Sequence, residues 1–123
     1  MKQREIVKVP IPLERVITDG IVKWLKANGY PFTVKIHGAA YQSAGLPDIV
    51  TIDRRGRFVG LEVKRPKIGT VTELQKKTLQ KINEAGGYGV VVRSLDGVKA
   101  AMVASEDRAV AFEIDPEGNP EKR

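Results

Sequence analysis

The most constraining stretch of this chain is residues 45–64, GLPDIVTIDRRGRFVGLEVK, which reads as two strands joined by a tight turn. Ile49, Val50, Thr51 and Ile52 form one apolar, β-branched strand run, and residues 58–63 form the second strand. Between them lies Arg54-Arg55-Gly56, a polar break that ends in glycine. A three-residue hairpin loop commonly places its last residue in the left-handed region, where glycine carries no steric cost. With that loop, Asp53 pairs with Arg57, and counting outward brings Asp48 opposite Glu62. Side chains alternate along a strand, so Asp48, Glu62 and Lys64 project to one face.

Opposed strand positions hold their β-carbons roughly 5 Å apart. Two carboxylates at that distance repel unless something positive stands between them. Mg²⁺ suits the role, because it takes hard oxygen ligands from one or two carboxylates and keeps several waters. The plainer reading makes each acid a solvated residue at a strand end. That reading is strained for Glu62, which lies between Leu61 and Val63 in a run that should be largely covered. An unpartnered buried carboxylate is costly. Lys64 has two readings that can hold together, a member of the site and a salt-bridge partner of the acids.

The remaining segments supply helices and strands to cover this hairpin. Residues 1–12 read as an extended arm, because Pro10 and Pro12 disfavour helix before them. Over residues 13–28 the apolar positions Leu13, Val16, Ile17, Ile21, Trp24 and Leu25 follow helical spacing, and Asn28-Gly29 closes the helix. Residues 33–37 form a first strand, followed by a loop to Gly45. After the hairpin and a turn at 65–69, a helix starts near Thr70 or Thr72 and runs to about Ala85, with Val71, Leu74, Thr78, Ile82 and Ala85 on one face. Residues 88–93, YGVVVR, are apolar on both faces, as a covered strand requires. Ser94 caps a short helix carrying Leu95, Val98, Ala101 and Met102. Beyond Ser105 the pattern weakens to an edge strand over 109–114 and a frayed tail over 115–123.

The order α-β-β-β-α-β-α predicts an α/β fold, a small mixed sheet with helices on both faces. A length of 123 residues gives one domain, with an arm over 1–12, a folded body over 13–104 and an extension over 105–123. The absence of cysteine excludes disulfides, zinc–thiolate sites and thiol catalysis. MKQREIVKVP lacks the apolar core of a secretory signal, and no run reaches membrane-spanning length, so the expected compartment is the cytoplasm. The net charge of +6 points to a polyanionic partner. Six basic residues (Arg54, Arg55, Arg57, Lys64, Arg65 and Lys67) and one acidic residue, Glu62, fall within 54–67, the same stretch as the acid pair.

Asp48, Glu62 and Lys64, with Pro47 before the aspartate, resemble the PD-(D/E)XK nuclease superfamily. The wider match, over about residues 13–98, is to its VRR-NUC branch, the virus-type replication-repair nucleases. It rests on Gly45-Leu46-Pro47-Asp48, Gly60-Leu61-Glu62-Val63-Lys64, Gln75 and the run from Gly86 to Val92. The chain looks like the compact stand-alone type found in phages and bacteria, without an added DNA-binding module. The resemblance implies a restriction-endonuclease-like core in the order α-β-β-β-α-β, and phosphodiester hydrolysis in DNA with Mg²⁺ or Mn²⁺. It implies Asp48, Glu62, the Val63 carbonyl and Glu14 as metal ligands, with Glu5 a weaker substitute for Glu14. Glutamate in a first helical turn is also favoured by the helix dipole alone.

Lys64 then positions or activates the attacking water, and Gln75 contacts the lysine, the water or the phosphate. Ser43, Arg54, Arg55, Arg65, Lys67 and Lys76, with Lys77 beside it, are candidate phosphate contacts. His37, the only histidine, reads better as a strand-end residue than as a base. Branched or four-way (Holliday) junction DNA is the expected substrate and a homodimer the expected assembly, with Trp24, Tyr30, Phe32 and the 109–114 segment as material for either the interface or the core. Two other functions stay open, a non-catalytic nucleic-acid-binding subunit with this fold and a nuclease of other polarity or with an RNA substrate.

Overall fold

The computed structural model describes residues 10–36, 45–107, 112–114 and 120–122. The elements are α1 (Glu14–Ala27), β1 (Thr33–Lys35), β2 (Ile49–Ile52), β3 (Phe58–Val63), α2 (Glu73–Glu84), β4 (Tyr88–Val92), α3 (Leu95–Glu106), β5 (Phe112–Ile114) and β6 (Pro120–Lys122). The central sheet has the order β1-β2-β3-β4, antiparallel between the first three strands and parallel between β3 and β4.

The hairpin has the register that its turn predicts. Ile49 faces Leu61 and Ile52 faces Phe58, while the Asp53 amide donates to the Arg57 carbonyl at 2.9 Å. Gly56 takes a φ of 80°, as the loop requires. The Asp53 side chain helps to close the turn, its Oδ1 accepting from the amides of Arg55 and Arg57 at 2.9 Å each.

Alternation divides the sheet into two faces. Ile49, Val59, Leu61, Val63, Tyr88 and Val92 turn toward α1 and α3 and pack with Ile21, Leu25, Val98 and Met102 in one buried core. The opposite face carries Gly60 and Gly89, paired in register, where α2 comes down so closely that an added β-carbon would touch Ile82 or Leu79. Helices therefore cover both faces, as expected. The α2 face differs from its sequence reading: Leu79 is the buried residue, whereas Leu74 is 48% exposed. Leu13 and Val16, counted above on the inner stripe of α1, are also exposed.

Two boundaries need correction. The helix that follows Ser94 runs on to Glu106, past the expected end of the body at 104, because Ser105 faces inward and its Oγ donates to Asp53 Oδ2 at 2.6 Å. A polar residue on the buried side ends an apolar pattern before it ends the helix. The expected edge strand near the C-terminus is β5, but it pairs antiparallel with β6 in a separate two-stranded sheet. Part of the segment expected to fray is thus β6.

Candidate active site

The β2–β3 ladder, extended by one residue pair, sets Asp48 across from Glu62 at its open end. Their environments differ. Asp48 is half-buried, and its Oδ2 accepts from the Val63 amide at 2.7 Å. Glu62 is 1% exposed, and neither of its carboxylate oxygens has a hydrogen-bond partner among the described residues. Among the described residues, the side chain placed to share a proton with it is Asp48, itself an acid. The Glu62 pKa is pushed up from its ordinary 4.5 to about 9, first by burial and next by the adjacent Asp48 carboxyl, with Lys64 opposing and Glu14 adding to the rise.

A buried carboxylate is retained at such a cost when a cation or a proton completes it. The donor set is hard oxygen, which suits Mg²⁺ or Mn²⁺ and not a thiophilic metal. The Val63 amide and carbonyl leave the same edge of β3, so the carbonyl also faces the β2 side. Glu14, in the first turn of α1, lies near enough for its charge to act on Glu62. It does not close a triad, since no group of three or more His, Cys, Asp or Glu side chains at metal-holding spacing occurs among the described residues. The observed geometry is a carboxylate pair with a third acid nearby.

Lys64 is half-buried just beyond β3, where its amide donates to the Val92 carbonyl at 3.0 Å. Gln75 is in the first turn of α2 and forms a capping box. Its Oε1 accepts from the Thr72 amide at 2.9 Å, and Thr72 Oγ1 accepts from the Gln75 amide at 3.1 Å. The carboxamide oxygen is thereby engaged, leaving the NH₂ for other partners.

The basic residues close in sequence to the acids separate in space. Arg54 and Arg55 sit at the turn, on the order of 15 Å along the strands from Asp48. Arg54 donates to the Asn28 carbonyl at 2.8 Å, pairs with Glu106 at 3.5 Å and lies over the Tyr30 ring, while Arg55 donates to the Glu106 carbonyl at 3.1 Å. These two arginines tie the hairpin tip to the ends of α1 and α3. Arg54 and Arg55 thus stand away from the acid pair, whereas Lys64, Arg65 and Lys67 follow directly after β3. Arg65 spans to the chain before α1, donating to the carbonyls of Ile11 and Pro12 at 2.9 and 3.0 Å. Lys67 is exposed, and Lys76 forms an exposed ion pair with Glu73 at 3.1 Å. Ser43, His37 and Glu5 lie outside the described residues.

Two features escaped the sequence reading. Tyr30, open to either interface or core from the sequence, belongs to the core, and its hydroxyl makes an unforeseen contact, donating to Glu106 Oε2 at 2.9 Å. Burial and then Glu106 raise its pKa to about 12. Arg93, read only as a strand end, donates to two main-chain carbonyls of the turn that follows Lys64. Its place directly after an apolar strand was the available signal.

No protein-family model and no curated protein matches this chain. Among solved structures, it is similar to one described as a VRR_NUC domain protein, with a TM-score of 0.64 at 19% identity over 80% of this chain and 90% of that one. A second, described as a VRR_NUC domain, aligns with a TM-score of 0.58 at 22% identity over 77% of this chain and 96% of that one. These likenesses show that the chain has the VRR_NUC fold, in the restriction-endonuclease-like arrangement expected from its sequence.

Proposed function

We propose that this chain, built on the VRR_NUC fold, is a metal-dependent nuclease that hydrolyses phosphodiester bonds in branched DNA. One observation carries the proposal: Glu62 is 1% exposed, with both oxygens unpartnered among the described residues, across the ladder from Asp48 and two residues before Lys64. A cation is the simplest completion of that arrangement. Asp48, Glu62 and the Val63 carbonyl would hold Mg²⁺ or Mn²⁺, with Glu14 adding negative charge nearby from α1. When bound, the ion supplies a water of lowered pKa and offsets charge gathering on the phosphate.

The protein's own groups do the rest. The Val63 amide fixes the orientation of Asp48 through its 2.7 Å hydrogen bond. Lys64 carries an ammonium from the same strand to the same face, where it orients the water and counters charge on the phosphate oxygens. Gln75 offers its NH₂ from the start of α2, whose first turn is fixed by the capping box. Lys67 and Lys76 hold the backbone of the nucleic acid, which positions substrate without reading sequence.

One site per chain cuts one strand per encounter, whereas a four-way junction needs two cuts related by symmetry. A two-fold dimer supplies them, and such dimers are the commonest soluble assemblies. Phe32, 57% exposed beside the edge strand β1, is available as contact material, unlike the buried Tyr30. The test of the function is incubation with four-way junctions, flaps, plain duplex, single-stranded DNA and RNA, each with Mg²⁺, Mn²⁺ or chelator. Metal-dependent cuts at branch points are expected. Binding without cleavage in every metal would instead favour a non-catalytic nucleic-acid-binding subunit.

A further inference from the structure

Lys64 is the first residue past the end of β3, so the ladder itself holds little of it. Its amide donates to the Val92 carbonyl at 3.0 Å, and the chain then enters a turn over residues 65–69. That turn folds back onto Lys64. The Gly69 amide donates to the Arg65 carbonyl at 3.1 Å, and Lys67 between them takes a φ of 65°, which a residue with a side chain rarely adopts. A β-carbon added at Gly69 would stand 2.8 Å from the Lys64 β-carbon and 2.8 Å from the Arg65 nitrogen. Glycine is thus what allows the turn to lie directly against the base of the lysine side chain.

A turn held in a costly conformation needs something to hold it. Arg93, immediately after β4, supplies that. Its Nη1 donates to the Arg65 carbonyl at 3.0 Å and to the Gly69 carbonyl at 2.8 Å, bridging the two ends of the turn. The Arg65 carbonyl accepts from both Gly69 and Arg93. The Arg65 side chain adds a second anchor through the carbonyls of Ile11 and Pro12.

We infer that Arg93 is a positioning residue for Lys64: by clamping the ends of the 65–69 turn it seats Gly69 against the Lys64 β-carbon and so fixes the aim of the ammonium. This rests on the reading of Lys64 as a member of the nuclease site. A lysine has four rotatable side-chain bonds, and misplacing a group by about 1 Å can cost roughly 100-fold in rate. The clamp acts on the position of the Lys64 β-carbon, from which the rest of the side chain departs, so that a small shift there is carried to the tip.

The test compares wild type with Arg93→Gln, Arg93→Lys and Gly69→Ala in single-turnover cleavage, DNA binding and amide hydrogen exchange. Arg93→Gln and Gly69→Ala should lower the cleavage rate on the order of 10- to 100-fold with DNA affinity within about twofold of wild type. The Gly69 amide should lose protection in Arg93→Gln while the Leu61 amide in the core keeps it. Arg93→Lys, which still offers a cation to both carbonyls, should recover part of the rate. Should Arg93→Gln fail to fold, Gly69→Ala carries the test. Wild-type rates in both variants, or unchanged Gly69 protection without Arg93's guanidinium, would overturn the inference. No cleavage by wild type sinks the nuclease reading instead, and the Gly69 amide then still decides whether the clamp exists.

Discussion

Asp48 and Glu62 face each other across one ladder, yet only one of them is provided for. Asp48 has the Val63 amide at 2.7 Å, while Glu62 is sealed from water with no hydrogen bond to either oxygen among the described residues. The asymmetry makes the metal-free site a source of instability with a definite pH dependence.

Because the folded-state pKa of Glu62 is raised from 4.5 to about 9, the unfolded chain releases this proton first as pH rises. Between those two values the folded state binds more protons than the unfolded one, so stability falls through the window. The metal-free protein should therefore lose several degrees of Tm from about pH 5.5 to about pH 8. Mg²⁺ should restore more of it at the higher pH, where the proton it displaces is held less firmly. Glu62→Gln should flatten the pH dependence and remove the Mg²⁺ effect. Thermal scans across pH, with and without Mg²⁺, measure both.

Gln75 has two roles that two substitutions separate. Gln75→Glu keeps a capping box at Thr72, because glutamate serves in that position, but it loses the NH₂. Gln75→Ala loses both. Gln75→Glu should hold its Tm and cut DNA more slowly, whereas Gln75→Ala should also lose about 1 kcal/mol of stability. Full activity in Gln75→Glu would confine this residue to the helix cap.

Much of this was legible in the sequence because the hairpin constrains itself. A β-branched run, a second mainly apolar run and a three-residue loop ending in Gly56 leave one register, and that register alone opposes Asp48 to Glu62. The inner face of α2 was not legible. Leu74 and Leu79 are equally apolar, but Leu79 lies against Gly89 of the sheet whereas Leu74 lies over Gly45 outside it. Nor does sequence proximity give distance along a strand. Arg54 and Arg55 are near Asp48 in the chain but at the far end of the hairpin, bound to Asn28 and Glu106. Ser105 hid the end of α3 because its partner, Asp53, is remote in sequence.

The placement of the arginines yields a contrast in salt dependence. Neutralising Lys67 or Lys76 should lower the slope of log affinity against log salt by about 1 for each phosphate that is no longer neutralised. Arg54→Gln with Arg55→Gln should leave the slope alone and destabilise the fold by roughly 1–3 kcal/mol, because the tethers to Asn28 and Glu106 are removed. A flattened slope in the double arginine variant would put the hairpin tip on the DNA.

For the dimer, wild-type subunits mixed with an excess of Glu62→Gln subunits should convert paired junction cuts into single nicks. Paired cuts that persist undiminished, or sedimentation as a monomer on junction DNA, would contradict a two-fold assembly.

The most direct measurement is the cleavage rate of a labelled four-way junction by wild type and by Glu62→Gln, Asp48→Asn and Lys64→Ala, each shown to be folded, in Mg²⁺ and in chelator. Wild type should cut only with metal, and each variant should lose on the order of 100-fold or more in rate. Wild-type cleavage in chelator, or an undiminished rate in the Glu62→Gln variant, would contradict the assignment of the buried carboxylate pair as the metal-binding centre of a nuclease.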